Sequence, residues 1–187
     1  DTTDPIIITA GDTVQFNATG YDQFDNPISG LVFTWDETDT NGLFTNTAMG
    51  DYDVQAHSGG IDSNVITVTV NPAATDHVDI TPSVDQTTTA GIGIQFNAVA
   101  YDQYGNPTGD AITWTGTDAT GWFYNETADD YTVYATAGGV ESDHINVHVD
   151  ADVLHHIEID TTDPIIITAG DTVQFNETGY DQFNKPI

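Results

Sequence analysis

With 187 residues, 30 acidic side chains and one basic one, the chain carries a formal charge of −29 and a pI near 4.1. Such a surface repels phosphate backbones and anionic headgroups, which excludes nucleic acid and the membrane surface as partners. No apolar run reaches the roughly 18 residues that span a bilayer, and with no cysteine there is no disulfide staple, yet 38% apolar and 10% aromatic residues still supply a packed core.

The chain opens on a segment that it repeats. Asp1–Ile28 returns as Asp160–Ile187 with three differences in 28 positions, Ala18/Glu177, Asp25/Asn184 and Asn26/Lys185. A more diverged copy lies between them, because "YDQFDNP" at Tyr21–Pro27 recurs as "YDQYGNP" at Tyr101–Pro107 and "YDQFNKP" at Tyr180–Pro186, at spacings of 80 and 79 residues. A fixed period of this length marks a tandem array of small domains. The expected division is 1–74, a domain lacking its first strand; 75–153, a complete domain; and 154–187, the opening strands of a third.

In chain order, "TVQFNATGYD" alternates at period two, with Val14, Phe16, Ala18 and Gly20 on one face, as a half-buried strand does. An Asn-Pro turn leads to the strand that points Phe33 and Trp35 inward. "GLF" at Gly42–Phe44 follows, then Tyr52/Val54/Ala56 and Ile66/Val68/Val70. The linker Asn71–Thr75 contains Pro72, which lacks an amide donor and fixes its own φ. The second copy opens with "HVDI" at His77 and repeats the series: Ile94, Phe96, Ala98 and Ala100; Ile112 and Trp114; "GWF"; Tyr131/Val133/Ala135; Ile145/Val147/Val149. No segment keeps a helical i, i+3, i+4 stripe, so no substantial helix is predicted. About seven short alternating strands per copy predict an all-β chain of tandem immunoglobulin-like antiparallel β-sandwiches. The predicted core is Phe16, Trp35, Tyr52, Phe96, Trp114 and Tyr131, with each Tyr at the corner position of its sandwich.

"YDQYGNPTGDAITWT" and "GDTVQFNATGYDQFDNPISGLVFTW" resemble the second-to-third-strand segment of the bacterial and archaeal immunoglobulin-like repeats of invasin/intimin type. The likeness covers essentially the whole chain, although Asp25 and Asn184 stand where the motif has glycine. The resemblance implies a secreted spacer or adhesive stalk on the cell surface and brings no catalytic residues.

Among local motifs, "ETDTNG" sets side-chain oxygens at Glu37, Asp39 and Asn41 ahead of a glycine, a spacing that can wrap calcium. The twelfth loop position is Ala48 rather than a bidentate Glu, so the plain expectation is a solvated loop and no cofactor, with calcium as the alternative. His144 and His148 share a strand face about 13 Å apart, too far for one ion. Asn17, Asn125 and Asn176 begin N-x-T sequons and are candidate glycosylation sites. No thiol, no arginine and no G-x-S-x-G elbow are present, so the chain is not expected to be an enzyme.

The expected function is that of an extracellular structural repeat, a stalk or filament whose partners are copies of itself. An adhesin tip or a carbohydrate-binding appendage is the alternative. The tail from Leu154 to Ile187 is expected to expose Ile157, Ile159, Ile165, Ile167, Val173 and Phe175, since isolated strand pairs are marginal in water. Either covalent continuation of the array or strand addition to a neighbouring chain is expected to cover it.

Overall fold

A computed structural model describes residues 5–161 and 163–187, and among these every regular element is a β-strand. The chain divides into two compact units, one of residues up to His77 plus Ala100–Asp110, the other of Val78–Val99 plus Ala111–Ile187.

In the first unit a sheet runs in the order Ile6–Thr9, Ile66–Asn71, Gly50–Val54. A second sheet joins Thr34–Trp35, Ala56–Ser58 and Ile61–Asp62, and Thr13–Gln15 pairs with Leu43–Thr45. Side chains alternating inward from these strands bury Phe16, Phe44, Val54, Val68 and Val70, with Trp35 and Tyr52 packed at the margin. The second unit repeats the plan with Gln86–Thr89, Ile145–Asp150, Asp129–Ala137 and Thr113–Thr115, and buries Phe96, Phe123, Val133, Ile145, Val147 and Val149. Val78 and Ile80 of the Thr75–Thr81 strand are buried as well. Each unit is an immunoglobulin-like sandwich, as the alternation predicts.

Three details differ from a purely antiparallel reading with tryptophan at its centre. Ile6–Thr9 runs parallel to Ile66–Asn71, and Gln86–Thr89 parallel to Ile145–Asp150. The core centres are Phe44 and Phe123, which are 0% and 1% exposed, whereas Trp35 and Trp114 are only half-buried. Each Trp ring lies against a glycine turn: a Cβ on Gly42 would sit 3.0 Å from Trp35, and one on Gly121 would sit 2.9 Å from Trp114. In "GWF", Phe123 alone enters the core, and Trp122 stays exposed.

The corner tyrosines are in place. Tyr52 donates its hydroxyl proton to the Ala48 carbonyl and Tyr131 to the Thr127 carbonyl, both at 3.0 Å. Each bond reaches back four residues and ties the strand to the loop before it.

The tail contains the antiparallel pair His156–Ile159 with Glu177–Tyr180. Ile157, Ile159, Ile165, Ile167, Val173 and Phe175 are all exposed.

Candidate functional site

The thrice-repeated "Tyr-Asp-Gln" turn is the most organised polar structure in the chain. In the Tyr101–Pro107 copy, Asp102 is fully buried. Its Oδ1 accepts the Tyr104 and Asn106 amides, each at 2.9 Å, and its Oδ2 accepts the Ala73 amide and the Asn106 side-chain amide, also at 2.9 Å. Asn106 in turn donates Nδ2 to the Thr47 carbonyl at 2.7 Å and accepts the Met49 amide at 2.9 Å. Burial pushes the Asp102 carboxyl pKa up, but these hydrogen bonds outweigh it and bring it from 3.8 down to about 2. Asp102 is therefore an anion at neutral pH with every lone pair directed at a donor. One residue pair closes the turn and fastens it to backbone far away in the chain.

The other two copies close in the same way. Asp22 Oδ1 accepts the Phe24 and Asn26 amides at 2.8 and 2.9 Å, and these bonds, the Asn26 amide first, hold its pKa below the usual carboxylate value. Asp181 Oδ1 accepts the Phe183 and Lys185 amides, both at 2.9 Å. Asp181 is also buried, and its Oδ2 is the one buried side-chain oxygen without a partner among the described residues. Lys185 stands where Asn106 supplies an amide donor, which accounts for part of that difference. The turn demands a positive φ at its fifth residue: Gly105 has φ 83°, and Asp25 and Asn184 adopt 61° and 58°. Asp and Asn tolerate the left-handed region best among non-glycine residues, so both departures from the glycine motif keep the same turn.

Each turn also presents an aromatic side chain after its Gln: Phe24, Tyr104 or Phe183. The Tyr104 ring rests on Gly11, where an added Cβ would lie 2.4 Å from the Tyr hydroxyl oxygen. The Phe183 ring rests on Gly91, where a Cβ would lie 2.5 Å from the ring, and it packs against the second core. Sequence reading singled out the turn and missed this contact. The signal was present in the co-occurrence of an aromatic in every turn with an Ala-Gly pair at Ala10, Ala90 and Ala169.

The remaining candidate residues are scattered. In "ETDTNG", Asp39 Oδ1 accepts the Asn41 and Leu43 amides at 2.8 and 2.9 Å, and Glu37 occupies φ 60°. Asp118 caps the equivalent turn of the second copy through Thr120 and Trp122. Both carboxyls are held below their usual pKa, Asp39 chiefly by the Leu43 amide and Asp118 chiefly by the Thr120 hydroxyl. Asp39 and Asp118 thus cap the same turn in the two copies. No group of three or more His, Asp or Glu side chains suited to a metal occurs among the described residues. Asn17 and Asn176 are exposed, while Asn125 is half-buried and accepts the Thr127 amide at 3.0 Å.

Two histidines carry charge-coupled pairs. His57 Nδ1 lies 2.8 Å from Asp62 and Nε2 lies 3.0 Å from Asp36. His148 Nδ1 lies 2.6 Å from Asp130 and Nε2 lies 3.3 Å from Asp150. A carboxylate only accepts, so each arrangement favours the doubly protonated ring. The His57 pKa is raised above 6.5 first by Asp62 and then by Asp36, and the His148 pKa first by Asp130. A raised folded-state pKa contributes stability that is complete below 6.5 and is lost as pH rises through the higher folded value. Melting temperature is accordingly expected to fall from pH 6 to pH 9 in the wild type and to fall less in the His57→Gln/His148→Gln double variant. Parallel pH profiles for the two proteins would show that these pairs do not contribute.

No family model matches this chain, and no curated protein matches it. Among solved structures, domains 1–6 of the surface layer protein SbsC align with 91% of this chain at 19% identity and a TM-score of 0.39. Yersinia pseudotuberculosis InvD aligns with 90% of this chain and 65% of its own, at 14% identity and a TM-score of 0.47. The extracellular cadherin domains 1–4 of protocadherin gamma B7 align with 95% of this chain and 57% of their own, at 12% identity and a TM-score of 0.43. This chain spans 26% of the length of the SbsC chain it matches.

Proposed function

We propose that this chain is an extracellular structural repeat protein, in which immunoglobulin-like domains divided at 1–74, 75–153 and 154–187 run in tandem as a cell-surface stalk or filament and associate with copies of themselves. The observation that carries this reading is the turn-on-glycine contact, an aromatic ring on a glycine, made twice and displaced by one repeat of 80 or 79 residues from the first contact to the second. Tyr104 on Gly11 and Phe183 on Gly91 are separated by 93 and 92 residues, so each ties a segment of one repeat to the opening segment of the repeat before it. The polar groups that are best organised, Asp22, Asp102, Asp118 and Asp181, all serve turn closure, which is the economy of a structural module rather than of a catalytic one. A chain with 30 acidic side chains against one basic one keeps a hydrated surface and resists collapse against neighbours.

The carbohydrate-binding alternative draws on one observation. Trp122 and Tyr124, two positions apart, are 42% and 48% exposed, an aromatic pair of the kind that stacks on sugar rings. The first copy has Leu43 and Thr45 at those positions, so such a site would exist in one repeat type only. The array reading, which accounts for both copies, is preferred. Accessibility of the chain from outside intact cells tests it.

A further inference from the structure

The two repeat types differ in chemistry on one open face of the sandwich. Where the first copy has Thr13, Leu43 and Thr45, the second has Gly93, Trp122 and Tyr124. The backbone does not require glycine at position 93, because its φ lies outside the left-handed region. A Cβ there would nevertheless lie 2.1 Å from Trp122 Cζ2, 2.5 Å from Cε2 and 2.9 Å from the Phe123 carbonyl oxygen. The missing side chain lets the indole lie against the strand.

Trp122 is also held through its backbone. It faces Gln95 across the strand pair, its amide donates to Asp118 Oδ1 at 3.0 Å, and its carbonyl accepts the Asp118 amide at 3.0 Å. Part of the ring is packed on Gly93, and the residue still shows 42% of its surface to water. Beyond the buried Phe123, Tyr124 is 48% exposed, and its hydroxyl donates to Glu126 Oε1 at 3.0 Å. The matching positions Leu43 and Thr45 of the first copy are exposed too, so the open face belongs to the sandwich itself and the second copy alone furnishes it with rings.

The polar groups beside the rings accept hydrogen bonds. Gln95, opposite Trp122 and therefore on the same face, donates Nε2 to the Phe96 carbonyl at 2.7 Å and to the Thr120 carbonyl at 2.9 Å, so the group it offers a ligand is its carbonyl oxygen. Glu126 offers a carboxylate, which only accepts. An occupant must therefore bring an apolar ring face for the indole and the phenol, and protons for the acceptors. It must also carry no negative charge into the field of a chain at −29. A neutral pyranose meets all three conditions, with C–H groups on its flat face, hydroxyls around its rim and no ionised group.

We propose that the second repeat type carries a binding subsite for a neutral hexopyranose glycan, in which Trp122 and Tyr124 stack on the sugar and Gln95 and Glu126 accept its hydroxyl protons. The subsite goes beyond the array reading and does not rest on it, since a structural repeat is able to bear a ligand on an open face. Trp122 is seated on Gly93 and Tyr124 is tied to Glu126 before any ligand arrives, so less ordering cost is left for binding.

The test is a titration of the isotope-labelled full chain with cellohexaose, mannohexaose and maltohexaose, each to about 10 mM, a range that reveals even a weak open-surface site. The signals followed are the indole N–H resonances of the three tryptophans. The Trp122 resonance is expected to shift saturably with at least one of these sugars, while those of Trp35 and Trp114 stay in place. Trp122→Leu and Tyr124→Thr install the residues that the first copy carries in the same fold, and each is expected to weaken binding roughly tenfold or more at an unchanged melting temperature. In the Trp122→Leu variant the backbone amide of position 122 serves as the reporter. Polygalacturonate, an anionic glycan, is expected to leave the spectrum unchanged. No shift at Trp122 with any of the three hexaoses, binding undiminished in both variants, or equal binding of polygalacturonate overturns the subsite. None of these outcomes bears on whether the chain is reached from outside the cell, which tests the array reading separately.

Discussion

Replacing Phe123 by alanine is expected to cost about 3–5 kcal/mol, the range for emptying a fully buried aromatic site. Domains of this size hold roughly 0.05–0.15 kcal/mol per residue, so the second sandwich is expected to lose most of its stability. Phe123 is 1% exposed, packs edge-on to Tyr131 at 5.6 Å between ring centroids, and belongs to the cluster with Phe96, Val133 and Val147. Trp114→Ala is expected to cost less, about 2–3 kcal/mol, because part of that ring already lies in water and only the buried part loses its contacts. Urea denaturation of the two variants compares them directly. A Trp114→Ala variant less stable than Phe123→Ala would move the centre of the core to the tryptophan.

Gly121→Ala is expected to be comparably severe, at about 3 kcal/mol or more, although it adds a single methyl group. Two costs add there. Gly121 sits at φ 80°, in the left-handed region that an L side chain enters only at a penalty. The new Cβ would also lie 2.4 Å from the Phe96 carbonyl oxygen and 2.9 Å from the Trp114 ring, so backbone must shift. Gly109→Ala separates the costs, since Gly109 has φ 71° and open space around it, and it is expected to lose about 1 kcal/mol. Equal losses at the two positions would remove the steric half of this explanation. The first sandwich offers a replicate at Gly42, where φ is 79° and a Cβ would meet the Phe16 carbonyl at 2.7 Å.

Much of the fold was legible because a strand declares itself within a few residues. Alternation alone put Phe16, Phe96, Val54, Val133, Val68 and Val147 inward, and the self-match between copies aligned them. Corner tyrosines were legible for the same reason, because the Tyr52 and Tyr131 bonds reach only four residues back. Distance-dependent features were not. Nothing local states that Tyr104 covers Gly11, or that the Ala73 amide ends on Asp102, since those partners lie 93 and 29 residues apart. The centrality of the tryptophans was over-read, because period two reports the face on which Trp35 and Trp114 lie and not their depth below it. The spacing of Glu37, Asp39 and Asn41 illustrates a real ambiguity: a cation and a tight turn's amides want the same oxygens before a glycine. In this chain Asp39 Oδ1 accepts the Asn41 and Leu43 amides.

The backbone geometry also explains how two departures from the turn motif leave the turn closed. Asp25 and Asn184 keep the positive φ, and the aromatic residue before each is unchanged. In all three copies the turn is closed by Asp and carries an aromatic residue, whether or not glycine holds the positive φ.

The central claim is that this chain works outside the cell as a structural repeat. Antibody raised to the folded chain, applied to intact cells that produce it, measures that most directly when paired with protease treatment of the same cells. The expected result is strong labelling without permeabilisation, abolished by brief external protease that leaves a cytosolic marker whole. Labelling that emerges only after the cells are opened, with the chain protected from external protease until then, would contradict the claim.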